Sequence, residues 1–406
     1  MRRHSSLLFP DPDSFHQDSL EKLLRMKFFV LALFAAALAC PAQDAPVTPA
    51  PDKPVLTEHS FILHNFRTES GVVLPEAKIV YGTYGHLNAA GDNAVLLPSH
   101  YMADMHGYEW LVGNGPQSGK ALDASRQFLI ATELFGNGRS SSPSNTPEPF
   151  HGPRFPVTTI RDNVEAVHQL LTADLGVKHL QAVIGFSMGA QQAFQWGVSY
   201  PDFMDHIVAT SGTAKTYGHG IVRLESEITA ISADAAFMGG DYKTEPEKGI
   251  QAFGLVWTAW LYSQEWWRRE LWRTDAPAGA TLATVIDSYR KDFIPHADAN
   301  DLILQMRTWE QHDVSATPGV TPSSTTDPEK ALASALGRIK APLLYMPSAT
   351  DLYFPVGDAQ YESPLIPHCT LLPIPSLWGH PAGAGASPAD EKFLNEHIAS
   401  FLAGQR

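Results

Sequence analysis

The chain has 406 residues, a length that allows two or three domains on a yardstick of roughly 150 residues each. With 44% hydrophobic and 18% charged residues it can bury a large core, which excludes a wholly disordered chain, and its formal charge of −14 offers none of the basic surface that nucleic-acid binding requires. Two cysteines, Cys40 and Cys369, exclude a disulfide scaffold and any zinc module built on four thiolates.

In chain order, the first element is a leader. Arg25 and Lys27 precede about a dozen apolar residues, and Ala37-Leu38-Ala39 then offers a small-x-small cleavage site, which is signal-peptide grammar with Met26 as the true start. The apolar run is shorter than the about 20 residues of a stable membrane span. Residues 1–42 therefore read as a leader that exports the chain to the periplasm or the medium. A lipid anchor on Cys40 and a buried N-terminal helix are the alternatives. Five prolines in residues 41–55 make 43–58 an extended tether.

Beyond the tether, Ser60–Phe66 and Ala77–Tyr84 predict a β-hairpin. Asn93–Pro98 and Gln127–Thr132 are short, continuous apolar runs, the mark of strands buried on both faces. Thr159-Ile160-Arg161-Asp162 opens a helix whose apolar period runs to Leu175, with Gly176 as its stop. Gln181–Ile184 predicts a strand, Gln191–Val198 a helix and His206–Ser211 a strand. Pro342–Pro347 and Thr370–Ile374 are further strands, and Asp390–Leu402 is a closing helix. Alternating strands and helices imply a parallel sheet covered on both faces. An interlude over 214–335 breaks the rhythm. It holds five of the nine tryptophans between Trp257 and Trp272, which either line a ligand pocket or pack a small helical subdomain.

The chemistry concentrates at Gly185-Phe186-Ser187-Met188-Gly189, between a strand and a helix. A sharp strand–turn–helix forces the central residue into a strained backbone and exposes its side chain, and the glycines make room for neighbouring backbone. Ser187 is thus a nucleophile candidate, with a helix N-terminus behind it favouring developing negative charge. A serine hydroxyl needs a base, and the base needs a carboxylate to hold its tautomer. Asp351 and His380 follow successive strands in the chain order expected for this arrangement. Asp358 is a rival acid inside the helix predicted after Pro355, and His368 and His397 are rival bases placed before a strand and within the last helix. The oxyanion donors expected are the backbone amides of Met188 and of Tyr101, in the loop His100–Met102. His100 and His106 share that loop but lack a third ligand at metal-binding spacing, so no metal is expected.

Several stretches outside the motif carry a resemblance: Tyr84-Gly85-His86-Leu87-Asn88, Asp92-Asn93-Ala94-Val95-Leu96, Phe155–Asp162, Gly185–Gln192, Asp298-Ala299-Asn300, His312-Asp313 and the Asp351 and His380 segments. From about Phe61 to Leu402 the chain resembles the homoserine O-acetyltransferase-like branch of the α/β-hydrolases. The resemblance implies an α/β-hydrolase fold, with a mostly parallel sheet flanked by helices. Residues 59–213 and 336–406 would form the core and 214–335 a helical lid. It also implies a ping-pong reaction without a cofactor, in which Ser187 takes an acyl group and an acceptor oxygen removes it.

The chain departs from that family at several places, among them the altered elbow Gly185–Ala190 and the altered oxyanion loop Ser99–Asp104. Where the acetyltransferases carry an Asp directly after the catalytic His, to hold the amino group of homoserine, this sequence has Pro381. The family's substrate-binding Arg of the lid has no clear counterpart, which leaves Arg268, Arg269 and Trp260 as candidate substrate contacts. Acetyl-CoA is a cytoplasmic donor, so export also argues for water as acceptor. The leading expectation is hydrolysis of a small-molecule acyl substrate. An O-acyltransferase and a non-catalytic binding module are the alternatives, and a homodimer through the lid is the expected assembly.

Overall fold

In the computed structural model Ser60–Phe66 and Ala77–Tyr84 fall inside two longer strands, β1 (Thr57–Arg67) and β2 (Val73–Tyr84), paired antiparallel from Thr57–Thr83 to Arg67–Val73. The structure describes residues 53–404, apart from 275, 294–296 and 321–324. The leader, Met26 and Cys40 lie outside the described residues, as does most of the tether, whose last two positions already belong to β1.

Apart from a short separate pair, Val112–Gly113 with Leu122–Asp123, the remaining strands are β3 (Ala94–Pro98), β4 (Phe128–Thr132), β5 (Leu180–Phe186), β6 (Met204–Thr210), β7 (Leu343–Met346) and β8 (Cys369–Leu371). They join the hairpin in one eight-stranded sheet ordered β1-β2-β4-β3-β5-β6-β7-β8. Every pair from β4 to β8 is parallel, and β2 runs antiparallel to both of its neighbours. All five residues of β3 and of β4 are buried, as expected for strands covered on both faces. Alternation divides them: Ala94 and Leu96 enter the core on one face, and Val95 and Leu97 the core on the other.

Most boundaries shift by a few residues from the sequence reading, as three examples show. The strand expected from His206 begins at Met204, and the last strand ends at Leu371, with Ile374 joined to Ser348 only by an isolated bridge. The helix opening at Thr159 is α1 (Ile160–Gln169), capped by the Thr159 hydroxyl on the Asp162 amide and by Asp162 on the Thr159 amide. It then widens into one π-turn over Leu170–Asp174 before Gly176, in the left-handed region at φ +70°.

Helix α2 (Met188–Ser199) follows β5 directly, and α10 (Pro388–Leu402) closes the chain against the opposite face. Between β6 and β7 the described residues form six α-helices: α3 (Gly218–Ser232), α4 (Glu247–Leu261), α5 (Gln264–Arg268), α6 (Leu282–Lys291), α7 (Ala299–Glu310) and α8 (Pro328–Leu336). They form a lid whose buried residues, among them Leu224, Phe253, Trp257 and Trp309, are continuous with the core under α1 and α2. Trp266 and Trp272 build a satellite cluster with Val285, so tryptophans of this region do pack a helical subdomain. Among the described residues no helix is long and apolar enough to cross a membrane.

Candidate active site

Strand β5 delivers Ser187 to the sheet edge at the start of α2. The residue sits at φ 57° and ψ −124°, a conformation that costs a non-glycine residue about 1–3 kcal/mol and persists only where its surroundings impose it. The surroundings are tight. A Cβ on Gly185 would lie 2.0 Å from the Gly189 carbonyl oxygen, one on Gly189 2.3 Å from that of Pro98, and one on Gly212 2.6 Å from that of Ser187. Tyr108 braces the turn from below: its hydroxyl donates to the Pro98 carbonyl at 2.6 Å and accepts from the Phe186 amide at 2.9 Å.

His380, from the segment after β8, reaches Ser187 with Nε2 at 2.9 Å from Oγ, and its Nδ1 meets Asp351 Oδ2 at 2.8 Å. A carboxylate only accepts, so Nδ1 carries the proton and Nε2 is left to accept the serine hydroxyl. The other carboxylate oxygen of Asp351 accepts the amides of Tyr353 (2.8 Å) and Phe354 (3.1 Å), which fixes the carboxylate plane. All three side chains are buried, and the rings of Phe186, Tyr353 and Phe354 stand 4.8, 4.8 and 5.6 Å from the imidazole. Such a relay can move a proton from a hydroxyl to an imidazole in a site shielded from bulk water.

The rivals lie elsewhere. Asp358 is in helix α9 (Val356–Glu362), His368 is exposed ahead of β8, and His397 holds the Phe393 carbonyl within α10. Of the oxyanion loop, Met102 is committed, since its amide donates to Gln305 Oε1 at 2.9 Å. Tyr101 is buried beside it, with its hydroxyl on the Leu302 carbonyl and its ring 4.8 Å from Trp257. The Met188 amide lies in the first turn of α2, where a helix supplies no acceptor. His106 pairs with Glu109 at the surface, whereas His100 packs its ring edge-on to Phe186, and burial, then the charge on His380, push it down to about 4. It is therefore neutral at ordinary pH.

Arg268 and Arg269 both pair with Glu265 on α5, and their side chains are 76% and 60% exposed, so neither is turned toward the buried relay. Trp260 is half-buried against His219, which in turn bonds the Leu352 carbonyl next to Asp351.

Other neighbours of the relay escape the sequence reading. Arg223 and Glu227 form a fully buried pair at 2.7 Å on α3, with the guanidinium 4.0 Å from Tyr353, 4.5 Å from Trp309 and 5.7 Å from Trp257. Burial lifts Glu227 to about 7 against the pull of Arg223. The signal was an Arg and a Glu four apart on the apolar side of a helix, which reads equally well as a surface ion pair. Tyr108 gave no signal at all, because nothing in the sequence places residue 108 under residue 186.

The family model described as the alpha/beta hydrolase fold matches residues 107–231. An ethyl acetate hydrolase of Pseudomonas veronii is 35% identical over 340 residues, covering 82% of this chain and 92% of that protein. A homoserine O-acetyltransferase of Trichormus variabilis is 31% identical over 339 residues, covering 80% and 89%. Among solved structures, an acetylester hydrolase from Corynebacterium glutamicum superposes with a TM-score of 0.79 at 30% identity, over 86% of this chain and 96% of that one.

Proposed function

The chain belongs to the homoserine O-acetyltransferase-like family of the α/β-hydrolases, and from that premise we propose that it is an exported serine esterase that hydrolyses small esters with short acyl groups. The observation that carries this reading is the continuous relay from Ser187 through His380 to Asp351, at 2.9 and 2.8 Å.

In this reading Ser187 Oγ attacks the ester carbonyl as its proton passes to His380 Nε2. The tetrahedral oxyanion rests on the amides of Met188 and Tyr101. Its collapse breaks the bond to the alkoxy oxygen, and His380 returns the proton so that the alcohol leaves neutral. Water, deprotonated by the same imidazole, attacks the acyl-enzyme, and a second collapse frees the carboxylic acid and restores the Ser187 hydroxyl. Asp351 holds the imidazole and steadies the transient imidazolium.

Buried rings pack on the relay: Phe186, Tyr353 and Phe354 lie on His380, with Trp257 against Tyr353 and Tyr101 against Trp257 behind them. A short acyl group is in keeping with the substrate in the name of the Pseudomonas relative, an ethyl acetate hydrolase. Water is the preferred acceptor because Pro381 follows His380 where the acetyltransferases carry the carboxylate for the amino group of homoserine. A buried ammonium without that partner loses several kcal/mol of binding. Acetyl transfer to homoserine is the second reading, favoured only by the family itself.

One comparison separates the two. Purified protein is given either p-nitrophenyl esters of rising acyl length or acetyl-CoA with homoserine. Fastest turnover on the acetate, falling toward the octanoate, with no acetyl-homoserine is the expected result. Brisk acetyl-homoserine formation with idle ester turnover overturns the proposal. Mass spectrometry of the exported chain tests the leader: cleavage near Ala39 is expected, and an intact cytoplasmic N-terminus counts against export.

A further inference from the structure

His380 is carried by a segment, Ser376–Gly379, that belongs to no strand or helix. An unsupported loop of that length samples many conformers, yet the imidazole at its end must meet Ser187 to within tenths of an ångström. Side-chain hydroxyls supply the missing constraint. Thr350 Oγ1 donates to the Ser376 carbonyl at 2.9 Å and accepts from the Gly379 amide at 3.1 Å. Ser263 Oγ, from the lid, donates to the Leu377 carbonyl at 2.5 Å while accepting the Trp266 amide at 3.0 Å as the N-cap of α5. Both hydroxyls thus spend their one proton on this loop.

The lid also rests directly on the loop. Gly379 adopts φ +65°, and a Cβ there would lie 2.7 Å from the Leu261 carbonyl oxygen and 2.9 Å from the Ser263 nitrogen. On the other side of His380, Thr210 Oγ1 donates to the Gly383 carbonyl at 2.7 Å and anchors the turn to the end of β6.

We propose that Thr350 and Ser263 are positioning residues for His380: the Thr350 hydroxyl ties the segment bearing Asp351 to the segment bearing His380, and the Ser263 hydroxyl ties that same segment to the lid. The inference rests on the reading of His380 as the general base. It makes the lid a working part of the proton relay as well as a cover for it.

Thr350→Val is the sharpest test, since it removes two hydrogen bonds and keeps the branched shape, and Thr350→Ser restores the hydroxyl. The readouts are the rate at which a fluorophosphonate labels Ser187 and the kcat and KM for p-nitrophenyl acetate, with Tm reporting the fold. Thr350→Val is expected to lower the labelling rate and kcat together by on the order of tenfold, with KM nearly unchanged, and Thr350→Ser to recover most of the loss. Ser263→Ala and Ser263→Thr repeat the contrast from the lid side and decide the matter if the valine variant does not fold. Folded Thr350→Val and Ser263→Ala proteins that label and turn over at the wild-type rate overturn the inference and leave the esterase reading intact. A folded wild type that neither labels nor hydrolyses any ester overturns the reading of His380 first, and the inference with it.

Discussion

Around Ser187 the backbone does the shaping, whereas around His380 side chains do. The serine half of the site is a strand, a one-residue turn and a helix packed so closely that Gly185 and Gly189 have no space for a methyl group. The histidine half is a loop held by the hydroxyls of Thr350 and Ser263, the carboxylate of Asp351 and the rings of Phe186, Tyr353 and Phe354. The crowding between Gly185 and Gly189 is short-range in sequence and leaves a readable motif. Hydrogen bonds that join residue 263 to 377, or 350 to 379, leave none. The comparison also predicts how each half fails: the first through strain, the second through loss of aim.

The largest effect is expected where the halves meet. Ser187→Ala should lower kcat for an aryl acetate by about 10⁴-fold or more, and His380→Ala by a similar factor. Because the two act as one unit, the double variant should be no slower than either single one. Multiplicative losses in steady-state assays would break the claim that they form a relay. Gly185→Ala comes next. Its methyl would stand 2.0 Å from the Gly189 oxygen and 2.2 Å from its carbonyl carbon, and neither backbone atom can yield. A destabilisation of about 3 kcal/mol or more is expected from urea unfolding. A stable, active Gly185→Ala protein would show that the serine half is looser than its packing implies.

That division explains what the sequence made legible. The eight strands' core segments, the strand–Ser187–helix turn and the pair Asp351 and His380 all rest on local pattern: short apolar runs, paired glycines and acids or bases placed after strands. The parallel sheet follows from alternation alone. Strand ends moved by a few residues, as at Met204 and Leu371, because pairing with neighbours decides where a ladder stops. Arg268 and Arg269 looked available for substrate because charge on a lid helix can face either way, and only folding shows both on Glu265. Tyr108, Thr350, Ser263 and Arg223 stayed hidden for the opposite reason, since ordinary residue types gained their roles purely from tertiary neighbours.

A medium effect probes the lid's contribution. Arg223 and Glu227 are both fully buried beneath Trp257, Trp309 and Tyr353, and Tyr353 packs on the His380 ring. Removing one charge strands the other in a medium that cannot solvate it. Arg223→Met alone should therefore cost about 3 kcal/mol, while Arg223→Met with Glu227→Leu should recover at least half of that, because a well-packed apolar pair is often as stable as a buried ion pair. Equal destabilisation in the single and double variants, measured by urea unfolding, would mean that shape rather than charge is what the rings grip.

The smallest effect lies at the seam between core and lid. Glu362 is fully buried and accepts the amide of Ala214, where the chain leaves the core, together with the hydroxyls of Tyr217 and Tyr345. Burial outweighs these donors and lifts its carboxyl to about 7. A carboxyl raised on folding holds a proton that the unfolded chain has already released. Between the ordinary carboxylate range and about pH 7 the folded state thus binds more protons, and stability falls as pH rises through that window, with a slope of at most about 1.4 kcal/mol per pH unit. Above it both states are ionised and the slope vanishes. Glu227, Glu245 and Asp301, each also lifted to about 7 chiefly by burial, act in the same direction. Glu362→Gln should consequently flatten the dependence of unfolding free energy on pH between 5 and 7 without abolishing it. The slope is the quantity to read, because an amide cannot accept all the bonds Glu362 accepts and will shift the absolute stability at every pH. An unchanged slope would mean that Glu362 is already ionised in the folded protein, and that the seam is held by charge rather than by a proton.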